Sequence, residues 1–319
     1  MPALYNFSLL DLALSALTAV SVPVYALLLW VLVRERDNPK LRGSFFLLST
    51  CLGVADVANT LIRYSLHRAP QWGLGARSLF LPNAHWLAVL ISCVDLPLLT
   101  AENIGVLLVA VNRATALVSP TRYEQIWSRS NAWRLVWTTA ALSMWAAPAS
   151  VFYMKPFYST SDNVTATIEF TKSVELIVGL AALISGCCLL SAVCYVIAIW
   201  LVIGHNWAKK ESRMANTKAD RQRYATEVRL VVCGFTFFLT QALLAWAYVS
   251  FVLQLVDYAT GYAIWLVAMD LFCYINPYSL LLMSAETRRQ FAKTLGCVAV
   301  PNSVASVTAC RAAPTNKTR

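Results

Sequence analysis

The stretch LAVLISCVDLPLLTAENIGVLLVAVNR, residues 87–113, decides the fold. Residues 87–112 contain no base, and as a helix they would reach about 39 Å at the α-helical rise, enough for a hydrocarbon layer of about 30 Å. Two acids, Asp95 and Glu102, stand inside the run, and Arg113 closes it. Asp95, Glu102, Val109 and Arg113 step by 7, 7 and 4 residues, which places them on one helical stripe. By helical rise, Glu102 lies ~16 Å and Asp95 ~27 Å from Arg113. Pro97 predicts a kink between the two acids. An acid in hydrocarbon is costly, so each marks a candidate functional position.

Six further runs have the same character: residues 12–33, 44–62, 135–154, 174–202, 230–253 and 262–283. Barrel strands would be about half as long and would alternate in polarity. The chain has 319 residues, 58% of them hydrophobic and 13% charged. Its mean hydropathy is +0.58. Soluble domains carry about a quarter charged residues, so this composition cannot cover a soluble surface. It excludes a cytosolic enzyme, a disordered chain and a disulfide-rich secreted module. Gly 11 and Pro 12 exclude a collagen-like repeat. The expected fold is all-α, a seven-transmembrane helix bundle filling residues 1–300, with a disordered cytoplasmic tail at 301–319.

The loops set the orientation. With the amino terminus outside, the inner segments hold 21 Lys and Arg and the outer segments 5, namely Arg63, Arg68, Arg77, Lys155 and Lys172. This is the positive-inside pattern, and it leaves no base inside any span. It also accounts for the net charge of +10. The basic loops would face an anionic lipid leaflet rather than nucleic acid, because Glu211, Asp220 and Glu227 dilute the basic run at 205–229. Residues 1–11 have no basic region and no small-residue cleavage site, so the first span reads as an uncleaved signal anchor. Sequons at Asn6 and Asn163 fall outside and are candidate glycosylation sites. None of the nine cysteines lies in an outer loop, which predicts no extracellular disulfide, and their spacing is not of a metal-binding type. Cys297 follows a short amphipathic segment and is a candidate palmitoylation site. No phosphate loop, nucleophile elbow or zinc-protease motif is present, so neither catalysis nor a cofactor is expected.

Five acids fall within spans: Asp56, Asp95, Glu102, Glu175 and Asp270. Glu175 sits at the outer mouth. With no base in the spans, the other four must be hydrated, hydrogen-bonded, protonated or bound to a cation. The plainer reading of each is a hydrogen-bonded packing group.

Asn112-Arg113 at the inner end of the third span resembles the Asp/Glu-Arg-Tyr element of rhodopsin-like G-protein-coupled receptors. Leu52-Gly53-Val54-Ala55-Asp56 resembles their second-helix signature, and Asn276-Pro277-Tyr278 their seventh-helix Asn-Pro element, followed by a short basic helix at 285–295. More closely, Asn112-Arg113 with Pro120, Tyr123-Glu124, Ile126-Trp127, Asn276-Pro277-Tyr278-Ser279, Arg288-Arg289 and Phe291 resembles the nematode serpentine chemoreceptors of the gamma and V classes. There are departures from the general receptor pattern. Asn112 replaces the acid, so no neighbouring carboxylate holds Arg113. Leu280 takes the usual tyrosine place. The sixth span has Trp246 but no proline, and the cysteine tying the third helix to the second outer loop is absent.

The resemblance implies a plasma-membrane receptor, ciliary in a sensory cell, that binds a small molecule outside and activates a heterotrimeric G protein inside. It implies that Asn112, Arg113, Tyr123, Trp127, Arg288 and Arg289 face the G protein. By position, Asp56, Glu102 and Asn276 resemble the midplane cation site of rhodopsin-like receptors, where two carboxylates would share a proton or hold a cation. Asp95 and Asp270 would line the ligand pocket and favour neutral or basic ligands. Glu227, just before the sixth span, would pair with Arg113 at rest. The alternative is a cation or proton carrier or channel running over the intramembrane acids, although no inverted repeat is visible. A receptor-trafficking helper is a weaker third reading.

Overall fold

The computed structural model describes residues 9–38, 41–74, 84–149, 151–152, 156–159, 167–170, 174–211 and 218–296. In chain order its main helices are α1 (Leu9–Arg34), α2 (Ser44–Ile62), α3 (Ala84–Val118), α4 (Arg129–Ser143), α5 (Val174–Glu211), α6 (Lys218–Val252), α7 (Tyr258–Met283) and α8 (Ala285–Thr294). In lipid, backbone polar groups have no water to bond, so the long apolar runs close their hydrogen bonds within helices. Short polar caps start several of them. Asp257 accepts from the Thr260 N–H at 2.9 Å to open α7, and Ser284 accepts from the Thr287 N–H at 3.2 Å to open α8.

The helices close a ring. α1 packs on α2 and α7, α2 on α3, α5 on α6, and α6 on α7. α3 runs through the middle and touches α2, α4, α5 and α6. The shared core includes Leu28, Leu52, Val106, Ile184, Phe237 and Phe272. Outward, α5 exposes Leu189, Leu190, Val193, Val196, Ile197 and Trp200. That surface suits lipid and would be untenable in water.

Among the described residues, six helical stretches are long and apolar enough to cross a membrane: Leu9–Arg34, Ser44–Gln71, His85–Val118, Val178–Gly204, Val231–Ser250 and Thr260–Met283. The chain is a multi-pass integral membrane protein. The fourth expected span is corrected. It was read as 135–154, but α4 begins at Arg129 and stops at Ser143, and a separate turn follows at Ala146–Ala149. Pro148 has no N–H to give the Met144 carbonyl, and the chain bends at Met144-Trp145. A two-stranded antiparallel hairpin, absent from the sequence reading, pairs Pro156–Ser159 with Thr167–Phe170 and lies on α3.

The largest correction concerns the second span. Arg63 and Arg68 do not lie in an outer loop. The helix continues through a π-helical turn, Arg63–Arg68, and a last turn, Ala69–Gln71, and both arginines are buried. A base-free set of spans is therefore not what forms. The sixth helix also starts earlier than expected, at Lys218, which puts Glu227 inside α6. Asn6, Asn163, Cys297 and the tail at 301–319 lie outside the described residues.

Gly53 marks the tightest part of the α1–α2 seam. A Cβ there would meet Leu29 Cδ2 at 2.8 Å and Tyr25 Cε2 at 2.9 Å. At Gly186, on α5, a Cβ would meet nothing within 4 Å. Overpacking costs about 1–3 kcal/mol. We therefore expect Gly53→Ala to lower the thermal midpoint of the purified protein, while Gly186→Ala leaves it unchanged or raises it. Equal midpoints for Gly53→Ala and wild type would show that the seam is looser than described.

Candidate functional site

The π turn explains the site. In an α-helix, positions five apart point about 140° away from each other. In a π turn the hydrogen bond runs i→i+5, so residues five apart lie nearly over one another. Arg63 and Arg68 thereby reach the same carboxylate on α7. Arg63 Nη1 lies 3.1 Å from Asp270 Oδ1, and Arg68 Nη2 lies 3.0 Å from Asp270 Oδ2. The Tyr64 hydroxyl donates to Asp270 Oδ2 at 2.9 Å and accepts from Arg68 Nη1 at 2.7 Å. The Arg68 guanidinium also stacks 4.4 Å over the Tyr64 ring. Asp270 was expected to line a pocket with no base near it. The structure places it instead in a clamp, fully buried between two guanidinium groups.

The polar chain continues toward the membrane centre. Arg63 Nη2 donates to Cys273 Sγ at 3.3 Å, and Cys273 Sγ lies 4.0 Å from Glu102 Oε1. Asn59 Nδ2 donates to Glu102 Oε2 at 2.7 Å. Asp56 Oδ2 accepts from the Tyr25 hydroxyl, and from Asn276 Nδ2 at 3.2 Å. Asn276 Nδ2 also reaches the Ser49 carbonyl at 3.3 Å. The midplane trio Asp56, Glu102 and Asn276 is thus gathered in one buried cluster. Tyr25, Asn59 and Cys273, not singled out in the sequence, join it. Asn59 and Cys273 had a signal in spacing, since Asp56, Asn59 and Arg63 repeat at helical intervals, as do Asp270, Cys273 and Asn276.

Asp95 stands apart from this chain. It faces His67 at 3.9 Å, and the two side chains are 21% and 17% exposed. Asp56, Glu102 and Asp270 are at most 2% exposed, so Asp95 is the least buried of these four acids.

At the inner end, the sequence reading needed a charge to restrain Arg113. Among the described residues, an amide, a hydroxyl and an aromatic ring contact it. Arg113 Nε donates to Asn112 Oδ1 at 3.1 Å, and its Nη2 donates to the Tyr123 hydroxyl at 3.0 Å. Asn112 Nδ2 donates to Ser44 Oγ at 2.9 Å, and Ser44 Oγ lies 2.9 Å from the Tyr123 hydroxyl. The guanidinium sits 4.5 Å over the Phe45 ring. Tyr123 comes from a single helical turn, Tyr123–Ile126, in the loop after α3. In this conformation Asn112, Arg113 and Trp127 are buried, Trp127 within the core, so none of the three presents itself to a partner. Arg288 and Arg289 are exposed on α8, with Arg288 Nη1 donating to the Leu281 carbonyl at 2.9 Å. The Glu227 side chain lies outside the described residues.

The profile of the family described as serpentine type 7TM GPCR chemoreceptor Srv matches residues 14–297 of this chain. A relative named Serpentine receptor class V-1, from Caenorhabditis elegans, is 25% identical over 283 residues, which covers 88% of this chain and 89% of the relative. Of the two chemoreceptor classes the motifs resemble, the match is to class V.

The inner cage leads to one expected outcome. A hydrogen bond to a charged group contributes about 1.5–3 kcal/mol. Tyr123→Phe removes the hydroxyl that ties Arg113 to Ser44 and keeps the ring. Basal signalling of Tyr123→Phe at matched surface expression should rise about tenfold. Basal output equal to wild type would show that Tyr123 does not restrain Arg113.

Proposed function

The chain belongs to the serpentine seven-helix chemoreceptor family Srv, and from that premise we propose that it binds a small extracellular chemical signal and activates a heterotrimeric G protein inside the cell. One observation carries the proposal. Arg113, near one end of the central helix α3, is held by hydrogen bonds to Asn112 and Tyr123 that a small shift can release. A caged cation at the inner end of the helix that touches four neighbours is what a two-state transmitter needs.

The amino terminus lies outside in this reading, as the basic inner loops favour. The ligand enters at the end of the bundle where Asp95 and His67 remain partly exposed. It contributes differential affinity for one packing of the bundle, without which no equilibrium shifts. Release of Arg113 from Asn112 and Tyr123 then exposes it beside Arg288 and Arg289. Asp56, Glu102 and Asn276 form the shared midplane site, where a change in proton or cation content couples to packing.

The carrier reading draws less support. Asp270, one of the acids meant to form its path, is held by two arginines, and Arg63 stands between it and Glu102. A buried guanidinium repels a passing cation.

In cells with a promiscuous G-protein reporter, an active compound should raise signalling through the wild type. Arg113→Ala should lose that response at near-normal surface expression. A full response by Arg113→Ala would remove the role assigned to Arg113. Current or uptake in cells lacking G proteins would favour the carrier.

A further inference from the structure

We propose that Asp56, Glu102 and Cys273 form an internal binding site for a thiophilic divalent ion of the zinc type. One donor atom from each residue lies within 4.8 Å of the other two, and all three residues are buried. Three helices, α2, α3 and α7, supply one donor each, so an ion there would pin all three. This goes beyond a proton or sodium ion shared by the midplane carboxylates, because it turns on the sulfur atom.

The donor set decides the ion. Two carboxylates and a thiol suit zinc, with Zn–O of about 2.0–2.2 Å and Zn–S of about 2.3 Å. At tetrahedral angles those bonds place S and O about 3.6 Å apart. Cys273 Sγ and Glu102 Oε1 are 4.0 Å apart, a few tenths of an ångström beyond that spacing, and the Asp56 donor lies within 4.8 Å of both. Magnesium and calcium take oxygen donors and gain nothing from a thiol.

The surroundings resemble a metal site's outer shell. Asn59 Nδ2 fixes Glu102, and Tyr25 with Asn276 Nδ2 fixes Asp56. Such bonds orient carboxylates for coordination. The amide oxygens of Asn59 and Asn276 have no hydrogen-bond partner among the described residues, although both side chains are buried. Each belongs to an amide whose nitrogen already bonds one of the carboxylates, so unused acceptors flank the site.

Charge balance agrees. With one proton shared between Asp56 and Glu102, that pair and Asp270 balance Arg63 and Arg68. A divalent ion that displaces the shared proton and the Cys273 Sγ proton to solvent adds two positive charges as two protons leave, and the cluster stays neutral. Arg63, 3.3 Å from Cys273 Sγ, supplies the charge that offsets the third anionic ligand.

The test uses the purified full-length protein in lipid nanodiscs with cobalt as a spectroscopic stand-in for zinc, so it does not depend on whether the protein signals. Wild type should bind one Co2+ with a near-ultraviolet thiolate-to-cobalt band, and Zn2+ should displace it. Cys273→Ser should abolish the band. Glu102→Gln, which keeps the sulfur, should weaken Co2+ binding at least tenfold. No thiolate band in wild type, or a band that persists in Cys273→Ser, would overturn the proposal. So would stabilisation by Na+ alone, with no response to Zn2+.

Discussion

Two guanidinium groups on one buried carboxylate set the architecture of this bundle. Arg63 and Arg68 can share Asp270 only if the second helix widens into a π turn, and that turn carries the helix past its apolar run to Gln71. Desolvating three charges costs several kcal/mol per ion. The arrangement is tolerable because each oxygen of Asp270 receives its own guanidinium and Tyr64 adds a hydroxyl and a ring. Removing Asp270 would strand two buried guanidinium groups, so the clamp ties α2 to α7.

From that clamp a polar line descends through Cys273, Glu102 and Asn59 to Asp56, Tyr25 and Asn276. It joins α1, α2, α3 and α7 at the membrane centre. Further inward, Gln241 Nε2 reaches the Asn103 carbonyl at 3.2 Å and ties α6 to α3. Thr236 meets Ser279 at 2.7 Å and ties α6 to α7. The inner cage of Arg113 is the last polar cluster on the same central helix. A polar network in a low-dielectric bundle has discrete arrangements rather than a continuum.

The ring of helices was legible because lipid forces long apolar runs into helices, and six of the expected seven form helices of membrane-spanning length among the described residues. Asp56 and Glu102 were legible because acids in such runs are rare, and Asn276 through its resemblance to the receptors' Asn-Pro element. Asn112-Arg113 was legible from its place at the end of the acid stripe. The π turn was not, since residues 63–68 read as polar and hydropathy ends the span at Ile62. Only the tertiary pairing with Asp270 makes two arginines tolerable there. Trp127 belongs to the core because the turn that follows Tyr123 folds back under α3, which spacing alone does not reveal. The hairpin's aromatic and β-branched pairs were short enough to pass for loop. The bonds from Arg113 to Asn112 and Tyr123 were not anticipated because only a charged partner was sought.

The central claim is that Arg68 and Asp270 depend on each other. A double-mutant cycle on the thermal stability of the nanodisc-embedded protein, using Arg68→Met, Asp270→Leu and their combination, measures that dependence directly. The account predicts that the double variant is markedly more stable than the sum of the single losses implies, by at least about 1.5 kcal/mol. Additivity within about 0.5 kcal/mol would contradict it.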